Sequence, residues 1–235
     1  MKKYFVFIFL CITAPAFAQS KVSPADSYTS TVLVKATLFQ NGDLRGTITY
    51  DDLGFASRIK KGLLHQSPDD FREFYNLDHF SYLKIQSVNV DSSDRKNGAL
   101  ITIVSFTLAG FGKTTDQGMS FLPVLVPMYF ENPYSVAPDR FPYQLAFPVD
   151  YTYQLEITLP DGIVVSAIPP GKVDKPDGIR AEMKRLAVSN GQTFSLMIEM
   201  NIMQKSYSKD EYAALKDFVD DYFNLCYEQV SVRKQ

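Results

Sequence analysis

The sequence predicts a mainly β protein made of antiparallel, sandwich-like units, with one short helix and one C-terminal amphipathic helix. Three Asn-Gly pairs, at positions 41–42, 97–98 and 190–191, each separate two runs rich in apolar and β-branched residues. Asn-Gly between such runs is the strongest short-range hairpin signal. Only one segment, near the C-terminus, has a clear helical spacing of apolar residues. Strands are therefore expected to outnumber helices, which predicts the mainly β class.

The N-terminus has the three-part pattern of a secretory signal peptide over residues 1–18. Lys2 and Lys3 precede the apolar run Tyr4 to Ile12, and Ala16-Phe17-Ala18 offers the small residues that a signal peptidase reads. The apolar run is too short to span a bilayer, and no later window is apolar enough to do so. We therefore expect an exported protein, periplasmic or extracellular, without a membrane span in the processed chain.

The net charge and the cysteine content exclude several further kinds of protein. Removal of Lys2 and Lys3 with the signal leaves 22 Lys and Arg against 26 Asp and Glu, a net charge of about −4, which excludes a nucleic-acid-binding surface. Cys11 leaves with the signal, and Leu10 stands where a lipobox has a small residue, so we expect no lipid anchor. Cys226 then has no intramolecular disulfide partner, and stability has to come from the apolar core.

The first half of the chain predicts two hairpins and a short helix after an exposed lead, residues 19–27. The runs Thr31 to Phe39 and Gly46 to Tyr50 flank the first Asn-Gly pair, for which a type I′ turn is predicted. Ser67-Pro68-Asp69-Asp70 supplies an N-cap, a proline at the first helical position and acids in the first turn, which predicts a helix over 68–76. The runs 82–90 and 99–108 form the second hairpin.

The second half begins with a segment, 121–148, whose six prolines exclude a regular strand or helix. We expect it to be an extended connection that crosses from one half of the molecule to the other. Alternation of apolar and polar residues from Tyr151 to Leu159 predicts a half-buried strand that ends at Pro160-Asp161-Gly162. The runs 182–188 and 193–203 form the third hairpin around Asn190-Gly191.

The C-terminal helix is predicted over 208–226. Ser208 and Glu211 form a capping box, with Tyr207 and Tyr212 placed to form the hydrophobic staple around it. The apolar residues that follow recur at steps of three and four, which is typical of an amphipathic helix: Tyr212, Leu215, Val219, Tyr222 and Cys226, with Phe218 and Phe223 widening the stripe. A last strand is expected over residues 229–233.

Several residues are of types that can act in catalysis or metal binding. Cys226 lies on the apolar stripe of the last helix, so we interpret it as a small buried hydrophobe rather than a nucleophile. The two histidines, His65 and His79, lie near Asp69, Asp70 and Asp78, but their spacing matches no metal-ligand pattern and no Gly-x-Ser-x-Gly elbow accompanies them. We predict no catalytic, cofactor-binding or metal-binding residues, and no cofactor.

Two other features have a structural and a functional interpretation. The stretch Gly110-Phe111-Gly112-Lys113-Thr114 resembles the end of a phosphate-binding loop, yet Thr107 occupies the place of its first glycine and no helix pattern follows. A glycine-rich turn that leaves a strand is the better interpretation. The many Tyr and Phe residues could form a sugar-stacking platform, but those on strands alternate toward the core, which favours packing.

A set of short motifs carries a family resemblance: Asn41 to Thr47 leading to Gly54 to Arg58, Asn132-Pro133-Tyr134 with Arg140-Phe141-Pro142, Tyr151 to Gly162, and Tyr207 to Lys216 with its closing strand. In this order they resemble the C-terminal region of bacterial secreted transglutaminase-like proteins, a domain of unknown function that follows a papain-like core. The resemblance implies a β-sandwich in an extracytoplasmic setting. It transfers no Cys-His-Asp triad to any position here, because Cys226 falls in the final helix.

From these patterns we expect two tightly associated β-rich units, residues 28–128 and 129–235. The leading functional hypothesis is a non-catalytic binding or accessory module of the cell envelope that contacts another envelope protein. Binding of a glycan or a peptidoglycan fragment through exposed Tyr and Phe is the alternative. An unrecognised hydrolase using His65 or His79 is a third.

Overall fold

The computed structural model describes residues 26–64, 82–91, 98–116, 118–129 and 131–235. The described residues form two helices and fourteen strands in the following order: β1 (Tyr28–Leu38), β2 (Leu44–Leu53), α1 (Gly54–Leu64), β3 (Leu83–Asp91), β4 (Leu100–Leu108), β5 (Lys113–Thr115), β6 (Gly118–Phe121), β7 (Tyr143–Gln144), β8 (Val149–Thr158), β9 (Ile163–Ala167), β10 (Lys172–Asp174), β11 (Ala181–Asn190), β12 (Thr193–Ile202), β13 (Ser206–Tyr207), α2 (Lys209–Cys226) and β14 (Val230–Lys234). The mainly β class and the C-terminal helix are confirmed.

An eight-stranded sheet forms the frame of the molecule, in the order β10-β11-β12-β8-β1-β2-β4-β3. Its pairings are antiparallel except in the middle, where β1 and β8 run parallel and Val32 lies opposite Tyr153. The sheet is therefore mixed rather than purely antiparallel. Strands from residues 28–128 and from residues 129–235 lie side by side in it, so this sheet is common to both ranges.

A second, four-stranded sheet has the order β5-β6-β14-β9, and β13 pairs with β7 in a two-stranded ribbon. The four-stranded sheet contacts the large one through aromatic rings, since the Phe121 ring on β6 lies 5.9 Å from the Phe194 ring on β12, edge to face. Both rings belong to one apolar core that lines a single face of the large sheet and extends to α2. Burial of this face supplies the main stabilisation of the fold.

The three predicted hairpins are present, but the turns of the first and the third differ from the prediction, and residues 92–97 of the second lie outside the described residues. A type I′ turn needs positive φ at both central residues, and among the described residues only glycines have it. In the first hairpin Gly42 alone does, with φ of 86°, and its amide donates to the Phe39 carbonyl. In the third, Asn190 is the last residue of the strand and pairs with Thr193. Gly191-Gln192 is therefore the two-residue loop.

Helix α1 is an element that the sequence reading did not predict. It follows β2 without a linker and packs against one end of the large sheet with Ala56, Ser57 and Lys60 buried. Two of these three buried residues are polar, so the helix lacks the apolar stripe by which an amphipathic helix is recognised. The helix predicted over 68–76 lies outside the described residues.

Lys60 is buried because Asp52, on β2, lies beneath it. Its ammonium group lies 2.6 Å from the Asp52 carboxylate, which also accepts a 2.6 Å hydrogen bond from the Ser30 hydroxyl. Asp52 is completely buried. Desolvation lowers the pKa of Lys60, and the attraction of Asp52 opposes that shift. A buried charge is tolerated when it is paired and hydrogen-bonded, as here.

Between β6 and β7, the described residues of the proline-rich segment form no strand or helix, as predicted. Tyrosine hydroxyls replace the hydrogen bonds that a sheet would provide. Tyr153, on β8, donates to the Pro123 carbonyl at 2.9 Å and accepts from the Leu125 amide at 3.1 Å. Tyr151 donates to the Val126 carbonyl at 2.5 Å. The segment is thus fixed across the buried face of the large sheet.

Helix α2 begins where the sequence predicts. The Ser208 hydroxyl accepts from the Glu211 amide, and the Glu211 carboxylate accepts from the Ser208 amide at 2.6 Å. The five residues of the predicted stripe and Phe218 are buried, and Phe223 is half-buried. At the other end, the fully buried Arg185 of β11 donates to the Leu225 carbonyl at 3.3 Å and to the Pro170 carbonyl at 2.8 Å. This cation lies at the negative end of the helix dipole.

The predicted signal peptide lies outside the described residues, as do most of the lead, both histidines and Asp69, Asp70 and Asp78. Neither of the two described helices is long and apolar enough to cross a membrane.

Candidate functional site

Cys226 is a buried thiol near the end of α2. Only 4% of its surface is exposed, and desolvation raises the pKa of the thiol to about 12, although Tyr222 and Arg185 act in the opposite direction. A reactive cysteine needs an accessible site that stabilises the thiolate. The structure therefore agrees with the interpretation of Cys226 as a small hydrophobe of the core.

His65 and His79, the two histidines of the sequence, lie outside the described residues. Within the described ranges, no three His, Cys, Asp or Glu side chains are grouped closely enough to hold a metal ion.

The glycine-rich stretch from Gly110 to Thr114 is a turn between β4 and β5, as predicted, and it is clamped to the turn of the first hairpin. The Gly110 amide donates to the Asp43 carboxylate at 3.0 Å, and the Gly112 amide donates to the Gly42 carbonyl at 2.8 Å. A Cβ on Gly42 would lie 2.2 Å from the Gly112 carbonyl oxygen. Gly42 is thus required by the close approach of the two turns.

The acceptor in this clamp is charged. The hydrogen bond from the Gly110 amide, followed by one from the Asn41 side chain at 2.8 Å, lowers the pKa of Asp43. Charge-assisted hydrogen bonds of this kind are stronger than neutral ones. The turn that carries Phe111 and Lys113 is consequently held in a defined position.

Beside this turn lies a cleft of about 190 Å³, which we call the aromatic cleft. It opens between the end of β4, the glycine turn, β6 and the residue before β14. The residues that line it include three aromatic and three polar ones: Tyr82, Phe111, Phe121, Lys113, Ser120 and Gln229. Phe111 and Phe121 pack with their ring centroids 5.1 Å apart. Tyr82 is 69% exposed, so its ring is available to a ligand.

A different candidate surface is the face of the large sheet that points away from the core. On β1, β8, β11 and β12, the residues that alternate with buried positions are half-buried or exposed. Strand registers align some of them in one row across the sheet: Leu186, Met197, Gln154, Leu33, Thr49 and Ile103. We call this side the open face.

One part of the open face is apolar. Leu186 and Val188 on β11 are each 49% exposed, and with Met197 and Leu33 they line a shallow depression of about 190 Å³. We call these four residues the apolar patch. Its neighbours carry both signs of charge: Lys35 lies opposite Glu156, and Lys184 lies 3.6 Å from Glu199. An apolar centre with a polar border is the usual arrangement of a protein-binding surface.

Neither surface was identified from the sequence. Alternation along each strand showed which residues share a face, but not which strands are neighbours. Leu33 and Met197 face the same depression only because β1 and β12 both pair with β8. In the aromatic cleft, Phe111 and Lys113 lay in a motif that the sequence singled out, whereas Gln229 comes from the far end of the chain.

Comparison with known families gives one match. Residues 117–232 match DUF3858, described as a domain of unknown function with a solved structure. The matched part is just under half of the chain and runs from β6 through α2 into β14. The expectation of a domain of unknown function is therefore confirmed for this part. No curated protein matches the chain.

Among solved structures, the chain is similar to a candidate protease from Parabacteroides distasonis ATCC 8503, with a TM-score of 0.42 and 10% identity. The similarity covers 51% of this chain and 24% of that one. The match thus spans about a quarter of the length of that protein.

Proposed function

We propose that the protein is an exported, non-catalytic accessory module of the cell envelope that binds another protein through the open face of its large sheet. The observation that carries the proposal is the apolar patch. Large apolar side chains that are half exposed and contiguous mark interaction sites more often than scattered ones do. Leu186 and Val188, two positions apart on β11, point from the same face of the sheet.

The charges around the patch indicate the kind of partner. Lys35, Glu156, Lys184 and Glu199 alternate in sign, whereas a surface for lipid headgroups or an anionic polymer would be predominantly basic. The partner proposed is a protein with an apolar patch of similar size surrounded by charges of both signs. Such a border contributes to the orientation of the complex, while the apolar centre contributes most of the affinity.

Export is supported by Lys2, Lys3 and the apolar run before Ala16-Phe17-Ala18. The non-catalytic part is supported by the burial of Cys226, the only cysteine after that pattern. The resemblance to the tail of secreted transglutaminase-like proteins suggests a partner with such a core.

The test is affinity recovery of the tagged protein from the envelope of producing cells after brief cross-linking, with partners identified by mass spectrometry. A recurrent partner is then purified and its affinity for the protein is measured directly. Leu186→Glu places a charge in the centre of the apolar patch, and we expect it to weaken binding about tenfold or more.

The matched control is Gln86→Glu, which adds the same charge to an exposed position on β3, at the opposite end of the large sheet. It should bind like the unmodified protein. A partner whose affinity is the same for both variants binds elsewhere and overturns the proposal. Failure to recover any recurrent partner from the envelope also counts against it.

A further inference from the structure

The aromatic cleft lies away from the open face and is not used by the proposed protein contact. It is built from β4, β6 and the glycine turn, and three polar residues line it, Lys113, Ser120 and Gln229. Among the described residues, no hydrogen bond or ion pair engages the side chains of Lys113, Ser120 or Gln229. A pocket with apolar walls and a few convergent polar groups is the usual form of a small-ligand site.

The cleft is also preformed. Phe121 is held from behind by the Phe194 ring, and Phe111 packs on Phe121. The clamp between Gly110 and Asp43 fixes the turn that carries Phe111 and Lys113. A ligand would therefore find the walls in place, and little conformational entropy would be lost on binding.

We propose that the aromatic cleft binds a single sugar ring that carries a carboxylate. The apolar C–H face of a sugar ring packs against aromatic rings, and Tyr82 offers an exposed one. Ser120 and Gln229 supply hydrogen-bonding groups for ring hydroxyls, and the Lys113 ammonium supplies a charge-assisted donor for the carboxylate. A volume of about 190 Å³ is smaller than the roughly 300–1,000 Å³ of pockets for drug-sized ligands, which favours one ring.

An extended peptide is the competing occupant, because β5 is an edge strand next to the cleft. Addition of a peptide strand derives its affinity from a row of main-chain hydrogen bonds. β5 comprises only three residues, Lys113–Thr115, and offers a short row. The chemistry of the cleft therefore favours the sugar.

The test is titration of the full chain with glucuronic acid, with glucose as the neutral counterpart, followed by amide chemical shifts in NMR spectra. We expect saturable shifts around Phe111, Lys113 and Ser120, with tighter binding of glucuronic acid than of glucose. Tyr82→Ala should weaken glucuronic acid binding about tenfold, whereas Tyr227→Ala, which removes another exposed ring, should not.

Lys113→Gln separates charge recognition from stacking. It should abolish the preference for glucuronic acid while glucose binds as before. Absence of saturable shifts with either sugar overturns the proposal, as does equal affinity for the two sugars in the unmodified protein. Saturation of the cleft by an unstructured peptide alone would also overturn it. Leu186→Glu should leave sugar binding unchanged, so failure of the proposed protein contact remains a separate result.

Discussion

The hydroxyl of Tyr222, on the buried side of α2, accepts a 2.6 Å hydrogen bond from the main-chain amide of Met128. The bond joins the C-terminal helix to the proline-rich segment, ninety-four residues earlier. Together with the hydroxyls of Tyr151 and Tyr153, it fixes the part of that segment before β7, whose described residues form no strand or helix. Tyrosine is used here as an apolar ring with a hydrogen-bonding end.

Tyr222→Phe should therefore lower the free energy of unfolding by about 1–3 kcal/mol, because the Met128 amide loses its partner. Tyr153→Phe should lower the free energy of unfolding by at least as much, since the Tyr153 hydroxyl both donates to the Pro123 carbonyl and accepts from the Leu125 amide. Urea unfolding measures both values. Tyr227→Phe, at an exposed position, is the control and should change nothing. Equal stabilities of all three variants would contradict this role of the hydroxyls.

The pair between Asp52 and Lys60 gives a second prediction. Lys60→Met leaves the buried Asp52 carboxylate with the Ser30 hydroxyl as a donor but without the cation. Removing one member of a buried ion pair typically costs about 3–5 kcal/mol. In the double variant Asp52→Val/Lys60→Met, neither charge of the pair remains. Its loss in free energy of unfolding should therefore be well below the sum of the losses in Asp52→Val and Lys60→Met. Additive costs in denaturant unfolding would refute the coupling.

The capping box predicts a dependence on pH. Hydrogen bonds from the Ser208 amide and side chain lower the pKa of Glu211 below its usual 4.5. A lowered carboxylate pKa stabilises the folded state above the unfolded value, and this stabilisation is lost as the pH falls through the lowered one. The stability difference between the unmodified protein and Glu211→Gln should be present at pH 7 and should shrink below about pH 4.5.

Thermal unfolding over this pH range makes the comparison. Ser208→Ala removes the other half of the box and should cost about 1 kcal/mol at pH 7. A difference between the unmodified protein and Glu211→Gln that stays constant down to pH 3 would show that the carboxylate does not act through its charge.

Replacement of glycine by alanine should destabilise the protein at one position and stabilise it at another. In Gly42→Ala the new Cβ would meet the Gly112 carbonyl oxygen at 2.2 Å, and φ is 86°, so a loss of more than about 1 kcal/mol is expected. Gly62 lies within α1 and has open space around its Cα. Gly62→Ala should stabilise the protein by about 0.5–1 kcal/mol. The two melting temperatures, compared with that of the unmodified protein, test the signs.

The sequence predicted the elements whose signals are local. The capping box of Ser208 and Glu211 and the alternation from Tyr151 to Leu159 involve residues close together in the chain, and both were read correctly. Helix α1 was missed because its buried Lys60 depends on Asp52 in another element. The turn at Asn190-Gly191 was displaced by one residue because the register with Thr193 extends the ladder.

The two candidate surfaces could not be predicted, since both are formed by residues far apart in sequence. Lys113 and Gln229 share a cleft because β14 pairs with β6. Leu33 and Leu186 share a row because β8 and β12 lie between their strands. Pairings of this kind depend on the whole core and leave no periodic trace in a single segment.

The parallel pairing of β1 with β8 has a consequence for how the chain reaches its native state. β1 is synthesised more than a hundred residues before β8, yet it lies between β2 and β8 in the interior of the sheet. The edge of β1 that pairs with β8 stays unpaired until the residues of β8, from Val149 onward, are present. Contacts between such distant residues carry a high loop-closure entropy and are typical of slow folding. A partly synthesised chain would expose this edge, which is prone to pair with other chains, so the growing chain would depend on protection from aggregation until β8 arrives.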